Sequence, residues 1–191
     1  MIMEQLDLFL SYLCGHFDNQ QQWTEMSEEQ RKQFPYAEHR NTQINDKLIG
    51  LPADFKGRFV LEESYYTLNG RKKSQPHVFL FTENDENQQI VLTSYDTPSH
   101  VKPTDLVYSE HLQLDFNELT ASHKFNPLVY QYKDGAFWGS NESMFTPALK
   151  FILDKKIDKH GMIIKEVMEK NGKRTFGFDE PIIYRRVKKT Y

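Results

Sequence analysis

The chain has 191 residues, a length that suits one domain with a sizeable core. Its formal net charge is −3, with acidic and basic residues interspersed, which excludes the electrostatic footprint of a nucleic-acid binder. The single cysteine, Cys14, excludes an intrachain disulfide and a cysteine-based metal cluster, and no run of about eighteen apolar residues is present to span a membrane.

The first element is an amphipathic helix from Met3 to about His16. Leu6, Phe9, Leu10, Leu13 and Phe17 recur at three- and four-residue steps and share one helical face. Cys14 lies beside that stripe, which predicts a buried, inert thiol. Glu4 and Asp7 interrupt the short apolar stretch, and there is no basic segment or cleavage site before it, so a cytoplasmic location is expected. Phe17-Asp18-Asn19-Gln20-Gln21-Gln22 reads as an amide-rich helix terminus. Ser27-Glu28-Glu29-Gln30 resembles a helix start.

From Tyr36 onward the pattern is β. Strands are predicted over Tyr36–Leu48, Arg58–Leu68, His77–Thr82, Gln89–Asp96, Leu112–Phe116, Leu128–Lys133, Ala136–Ser140, Thr146–Asp154, Met162–Glu169, Arg174–Phe178 and Ile182–Arg186. Asn69-Gly70, Lys133-Asp134-Gly135, Asp158-Lys159-His160-Gly161 and Asn171-Gly172 supply the positive φ angles of tight hairpins. Lys102-Pro103-Thr104-Asp105-Leu106 reads as a short helix capped by Thr104. Arg185-Arg186-Val187-Lys188-Lys189 reads as a solvated basic end. One helix followed by a long antiparallel meander predicts a mainly β fold: a lipocalin-like barrel of about eight to ten strands, closed on itself, in a single domain over 1–191. Barrels of that kind enclose one small ligand.

The chemistry-bearing residues are few. No phosphate loop, dinucleotide fingerprint, nucleophile elbow or paired-histidine zinc motif occurs. The seven histidines are scattered, so no metal site and no cofactor is expected. In the Arg58–Leu68 strand, alternation places Glu62, Ser64 and Tyr66 on one face and Phe59, Leu61, Glu63 and Tyr65 on the other. One of the two glutamates therefore points inward, where it meets either an arginine, Arg40 or Arg58, or a ligand N–H. Glu38-His39-Arg40-Asn41 sits in the middle of the first strand, so either His39 or Arg40 faces the interior.

Several segments, in order, resemble the T-type (CpcT/CpeT-like) phycobiliprotein chromophore lyases. Gly15, Phe17, Asn19 and Gln22 hold the places of that family's opening Gly-x-Phe-(Asp/Ser)-Asn-x-x-Gln. Leu61-Glu62-Glu63-Ser64 sits where the family has Val-Glu-Gln-Ala, and Phe137-Trp138-Gly139-Ser140 resembles its Phe-x-Gly-(Ser/Thr) hairpin. Gly172-Lys173-Arg174-Thr175-Phe176-Gly177 and Pro181-Ile182-Ile183-Tyr184-Arg185-Arg186 resemble its closing strands. The family's Tyr-Arg-x-Arg strand reads Gln75-Pro76-His77-Val78-Phe79 here, and its cysteine after the hairpin has no counterpart at Asn141–Thr146. The resemblance implies a barrel that binds an open-chain tetrapyrrole, a bilin, and hands it to a cysteine of a phycobiliprotein subunit as a thioether. It selects Glu62 over Glu63 as the inward carboxylate, with Glu62 as the catalytic group near the pyrrole nitrogens. The expected ligand-binding set is His39, Arg40, Glu62 and Tyr66, with Trp138 at the cavity mouth. Two other functions fit the same barrel: a non-enzymatic carrier of a tetrapyrrole, fatty acid or other apolar molecule, and a filled barrel acting through protein contacts. Glu62→Gln is expected to change a bilin spectrum and leave stability within about 1 kcal/mol.

Overall fold

A computed structural model describes residues 4–84 and 86–187. Met3, Asp85 and the Lys188-Lys189 pair lie outside the described residues. The chain opens with α1 (Gln5–Leu13), β1 (Gly15–Asp18), α2 (Gln20–Glu25), α3 (Glu28–Arg31), β2 (Tyr36–Gln43) and β3 (Leu48–Ile49). It continues with β4 (Arg58–Leu68), β5 (Arg71–Asn84), β6 (Gln89–Asp96), β7 (Leu114–Asp115), β8 (Thr120–Ala121), β9 (Leu128–Lys133) and β10 (Ala136–Thr146). The last strands are β11 (Leu149–Asp158), β12 (Gly161–Lys170), β13 (Lys173–Phe176) and β14 (Ile182–Arg186).

Ten strands close an antiparallel barrel in the ring order β11, β10, β9, β6, β5, β4, β2, β1, β14, β12, with β12 returning to β11. β8 and β13 extend it by pairing with the far ends of β6 and β12. The hairpin turns carry the backbone that their residues favour, with φ of 50° at Asn69, 52° at Asp134 and 50° at Asn171, each followed by a left-handed glycine. No helix among the described residues is long and apolar enough to cross a membrane.

The helix is shorter than its apolar periodicity predicts. It stops at Leu13, because Gly15 takes φ 143° and turns the chain into β1. Gly15 also lets the Arg186 guanidinium approach to where a Cβ would stand. From there Arg186 donates to the carbonyls of Ser11, Tyr12 and Cys14, the last at 2.7 Å, and so caps the helix C-terminus. Phe17 is thus a strand residue, although it still points into the core. Asp18 to Gln22 do not end α1; they lead into the first turn of α2, with Asp18 Oδ1 accepting from Gln20 N at 3.0 Å. Asn19 is buried between strands: its amide donates to Pro35 O at 3.0 Å, and its side-chain oxygen accepts from Ala37 N at 2.8 Å. Gln22 bridges to β14 through Pro181 O and Ile183 N, each at 2.9 Å. Ser27 and Gln30 form the capping box of α3. Thr104 caps no α-helix; it lies within a single 3₁₀ turn, Pro103–Asp105.

Apolar residues form two cores. Inside the barrel, α1 plugs one end. The Phe9 ring sits 5.0, 4.9 and 5.0 Å from Phe81, Tyr130 and Phe137, with Leu10 and Leu13 beside it. Cys14 is only half-buried; burial pushes its thiol up to about 11, against the Arg186 charge, so it is protonated at neutral pH. Outside the barrel wall, the loops around Ile44–Phe55 and Val101–Leu119 cover Phe59, Leu61 and Val78 with a second apolar cluster. β4 is therefore buried on both faces at Phe59-Val60-Leu61.

Gly161 opens β12 at φ 153°, where a Cβ would fall 2.1 Å from Tyr184 O on β14. Gly161→Ala is expected to lower the unfolding free energy by about 1–3 kcal/mol, measured by urea denaturation. An unchanged midpoint would contradict the tight β12–β14 seam.

Candidate functional site

The inward positions of the strands build the barrel interior in layers. On β4, Val60 belongs to the helix-plugged core, and Glu62, Ser64 and Tyr66 follow it at alternate positions. β5 runs antiparallel and brings Phe81, Phe79, His77, Gln75 and Lys73 alongside. β11 supplies Ile157, Lys155, Leu153 and Phe151, and β12 supplies Ile164, Glu166 and Met168. One layer above the α1 plug, every one of these four strands turns from apolar to charged or titratable. Beyond that layer lies a cavity of about 380 Å³, within the range of small-molecule sites. Its upper wall is aromatic: Phe125 stands 4.9 Å from Phe145 and 5.8 Å from Phe151.

The floor is an electrostatic network. Lys155 Nζ donates to Glu62 Oε2 at 3.0 Å, both groups being almost wholly buried. His39 Nδ1 lies 3.5 Å from the same oxygen, and its ring packs 4.5 Å from Tyr184 and 6.4 Å from Tyr66. Tyr66 donates to Glu166 Oε2 at 3.4 Å. Both His39 ring nitrogens and the Tyr130 hydroxyl are buried without a hydrogen-bond partner among the described residues.

The two carboxylates are driven apart. Burial works to raise Glu62, but the Lys155 ammonium, followed by His39 and His77, overrides it and holds the carboxyl well below its usual range. Burial raises Glu166, and His39 opposes it only in part. The Lys155 amine is held above its ordinary value, burial opposing and Glu62 prevailing. Burial lowers His77 and leaves it neutral near pH 7. Burial also pushes Tyr130 up to about 12, and raises Tyr66 and Tyr184, with Glu166 adding to both. Glu62 is therefore an ionised acceptor, whereas Glu166 is the carboxyl that burial pushes toward its protonated form.

The expected site residues divide. Glu62 and Tyr66 line the cavity, and His39 lies beneath them. Glu62 meets neither Arg40 nor Arg58; its cation is Lys155. Arg40 points outward, since alternation on β2 sends His39 in. It is 47% exposed, 3.6 Å from Glu38, with its guanidinium over the Tyr65 ring. Glu63 also turns outward and accepts from the Tyr65 hydroxyl at 2.7 Å. Trp138 is not at the mouth. Its neighbours Phe137 and Gly139 take the inward direction, and Trp138 is 49% exposed on the outer face beneath Lys156. Lys155, Glu166, His77 and the Phe125, Phe145 and Phe151 rings are site residues that the sequence reading missed. Among the described residues, no three His, Cys, Asp or Glu side chains converge where a metal ion could sit.

The segments that resemble the T-type lyases do different jobs in this geometry. Gly15, Phe17, Asn19 and Gln22 stitch β1 and α2 to the barrel, Gly139 leaves room for the Tyr130 and Leu128 side chains, and Glu62, Ser64 and Phe176 line the cavity. In comparison with known proteins, no family model matches this chain and no curated protein matches it.

Proposed function

We propose that the barrel binds one small molecule with a flat apolar body and a polar end, the body among the aromatic rings and the end on the charged floor. The observation that carries this reading is the cavity itself, walled by the closed barrel and floored by paired buried charges. A folded core that served only packing has no use for a buried Lys–Glu pair beside empty space, because apolar residues of similar volume are as stable or more so. The resemblance to the T-type lyases supports an open-chain tetrapyrrole as the ligand, and a phycobiliprotein cysteine as its destination. Between transfer and carriage, the pairing of Glu62 favours carriage. A carboxylate held ionised accepts hydrogen bonds from pyrrole N–H groups but gives up no proton, and Cys14 does not line the cavity. Any thiol attacking the ligand would then come from a partner, and the acid of the site would be Glu166.

Biliverdin or phycocyanobilin mixed with the protein is expected to red-shift in visible absorption and to acquire an induced circular dichroism, with saturation at one ligand per chain. Ser94→Trp, which fills the cavity, is expected to abolish both signals. Spectra that stay flat with the wild-type protein would sink the tetrapyrrole reading. Incubation of the loaded protein with an apo-phycobiliprotein subunit separates the two roles: a covalent, zinc-fluorescent subunit band marks transfer, and its absence beside intact binding marks carriage.

A further inference from the structure

The one buried lysine of the floor is already matched, since Lys155 Nζ lies 3.0 Å from Glu62. Glu166 is not: no Lys or Arg nitrogen among the described residues stands within 4.0 Å of its carboxylate, and its one hydrogen bond is the long one from Tyr66. Glu166 is half-buried and is one of the residues that line the cavity. With Glu62 and Lys155 paired, Glu166 is the cavity carboxyl that has no lysine or arginine beside it, and the His39 ring offsets its burial only in part. A buried carboxylate without a counter-ion is costly.

We propose that Glu166 is the docking point for a cationic nitrogen (an amine, an amidine or a protonated ring nitrogen) carried by a flat apolar ligand. This rests on the cavity being a ligand site, and it names the chemistry of the ligand's inner end. A nitrogen cation brings both the missing charge and N–H donors, and hydrogen bonds between ionised partners are about twice as strong as neutral ones. Burial raises Glu166; a bound cation reverses that and ionises it. His77, kept neutral by burial, offers a ring nitrogen on the same floor without adding a competing positive charge. The Phe125, Phe145 and Phe151 rings suit a flat body, and their faces attract cations rather than anions. An anionic end finds the opposite: the ionised Glu62 repels it at depth, Glu166 offers it no positive charge, and Lys155 is already paired. Its place is the mouth, where Lys73 is exposed on the cavity rim.

The test uses two tricyclic fluorophores of similar shape and opposite charge, 9-aminoacridine as the cation and 9-anthracenecarboxylate as the anion, titrated into the full chain at neutral pH. The cation is expected to bind about tenfold or more tightly than the anion. Glu166→Gln is expected to remove that preference by weakening the cation alone, its thermal midpoint serving as the check on folding; the wild-type ratio decides the charge preference without any variant. Equal binding, or a tighter anion, overturns the cation inference and leaves the cavity reading standing. A cation preference that Glu166→Gln does not change overturns the assignment to Glu166. If neither probe binds, the cavity reading fails and this inference falls with it.

Discussion

Leu13→Asp is expected to leave the protein without a cooperative fold. Leu13 is 1% exposed, on the last turn of α1, packed with Phe9 and Leu10 into the plugged end of the barrel. Two costs add. Removing the buried isobutyl group costs about 2–5 kcal/mol, by analogy with large-to-small core changes. The new carboxylate has no cation in that apolar layer, and an unpaired buried charge costs several kcal/mol more. The sum approaches the whole stability of a typical domain, about 5–15 kcal/mol. The position also anchors backbone, because Leu13 O accepts from the buried Asn41 amide at 2.9 Å. Leu13→Ala separates the two costs, since it loses only the first and is expected to fold with a lowered midpoint. Near-ultraviolet circular dichroism and urea denaturation measure both variants. A Leu13→Asp protein with a native spectrum and an unchanged midpoint would mean that α1 does not plug the barrel.

Much of the barrel was legible because its strands obey local rules. Arg58–Leu68, Gln89–Asp96, Leu128–Lys133 and Ile182–Arg186 carry alternating or apolar runs bounded by Gly, Pro and Asn, and their observed limits match those read from the sequence. Strands that outrun their apolar signal were cut short. β5 begins at Arg71 and β10 runs to Thr146, since cross-strand pairing carries polar residues that have no strand signal of their own. That shortening hid the site. With β11 ended at Asp154, the alternation Phe151, Leu153, Lys155, Ile157 was never completed, and a lysine on an apolar strand face went unread. Met162, Ile164, Glu166, Met168 on β12 holds the same kind of anomaly. On β4 the adjacent glutamates require one inward carboxylate, and the resemblance to the T-type lyases selects Glu62; Glu166 lies within its assigned strand range, but no such pairing or motif marks it. The helix end was misread for a different reason. The apolar steps from Leu6 to Phe17 fit one helix, but Gly15 breaks it, and Phe17 reaches the core from β1. Arg40 and Trp138 each sit next to the residue that turned inward, and in a strand a one-residue difference reverses the face.

The Lys155–Glu62 pair is expected to show the other large effect, and with a sign that depends on pH. Lys155→Met leaves an ionised Glu62 in the floor with no ammonium; Glu62→Gln leaves the ammonium with no carboxylate. Each single change is expected to cost about 3–5 kcal/mol, which replaces the near-neutral outcome that an unpaired cavity glutamate would give. The double variant is expected to recover a large part of that loss, with a coupling of about 2 kcal/mol or more between the two sites. In the wild-type protein, Glu62 has its pKa depressed by folding, so its stabilisation is present above the unfolded value of about pH 4.3 and is lost as pH falls further. Lys155 is raised, so its stabilisation is present below about pH 10.4 and is lost above it. The pair therefore gives a plateau between those limits. In Lys155→Met the largest opposition to burial is gone, and burial is expected to outweigh what His39 and His77 supply and to raise Glu62 instead. Stability is then greatest in acid and falls as pH rises through neutrality. His77, lowered by burial, weakens both proteins as pH drops below about 6.5, so the quantity to measure is the difference between the two denaturation midpoints from pH 4 to pH 9. A difference that widens with pH is the expected result. A constant difference, or additive single-variant losses, would mean that the two charges do not meet inside the barrel.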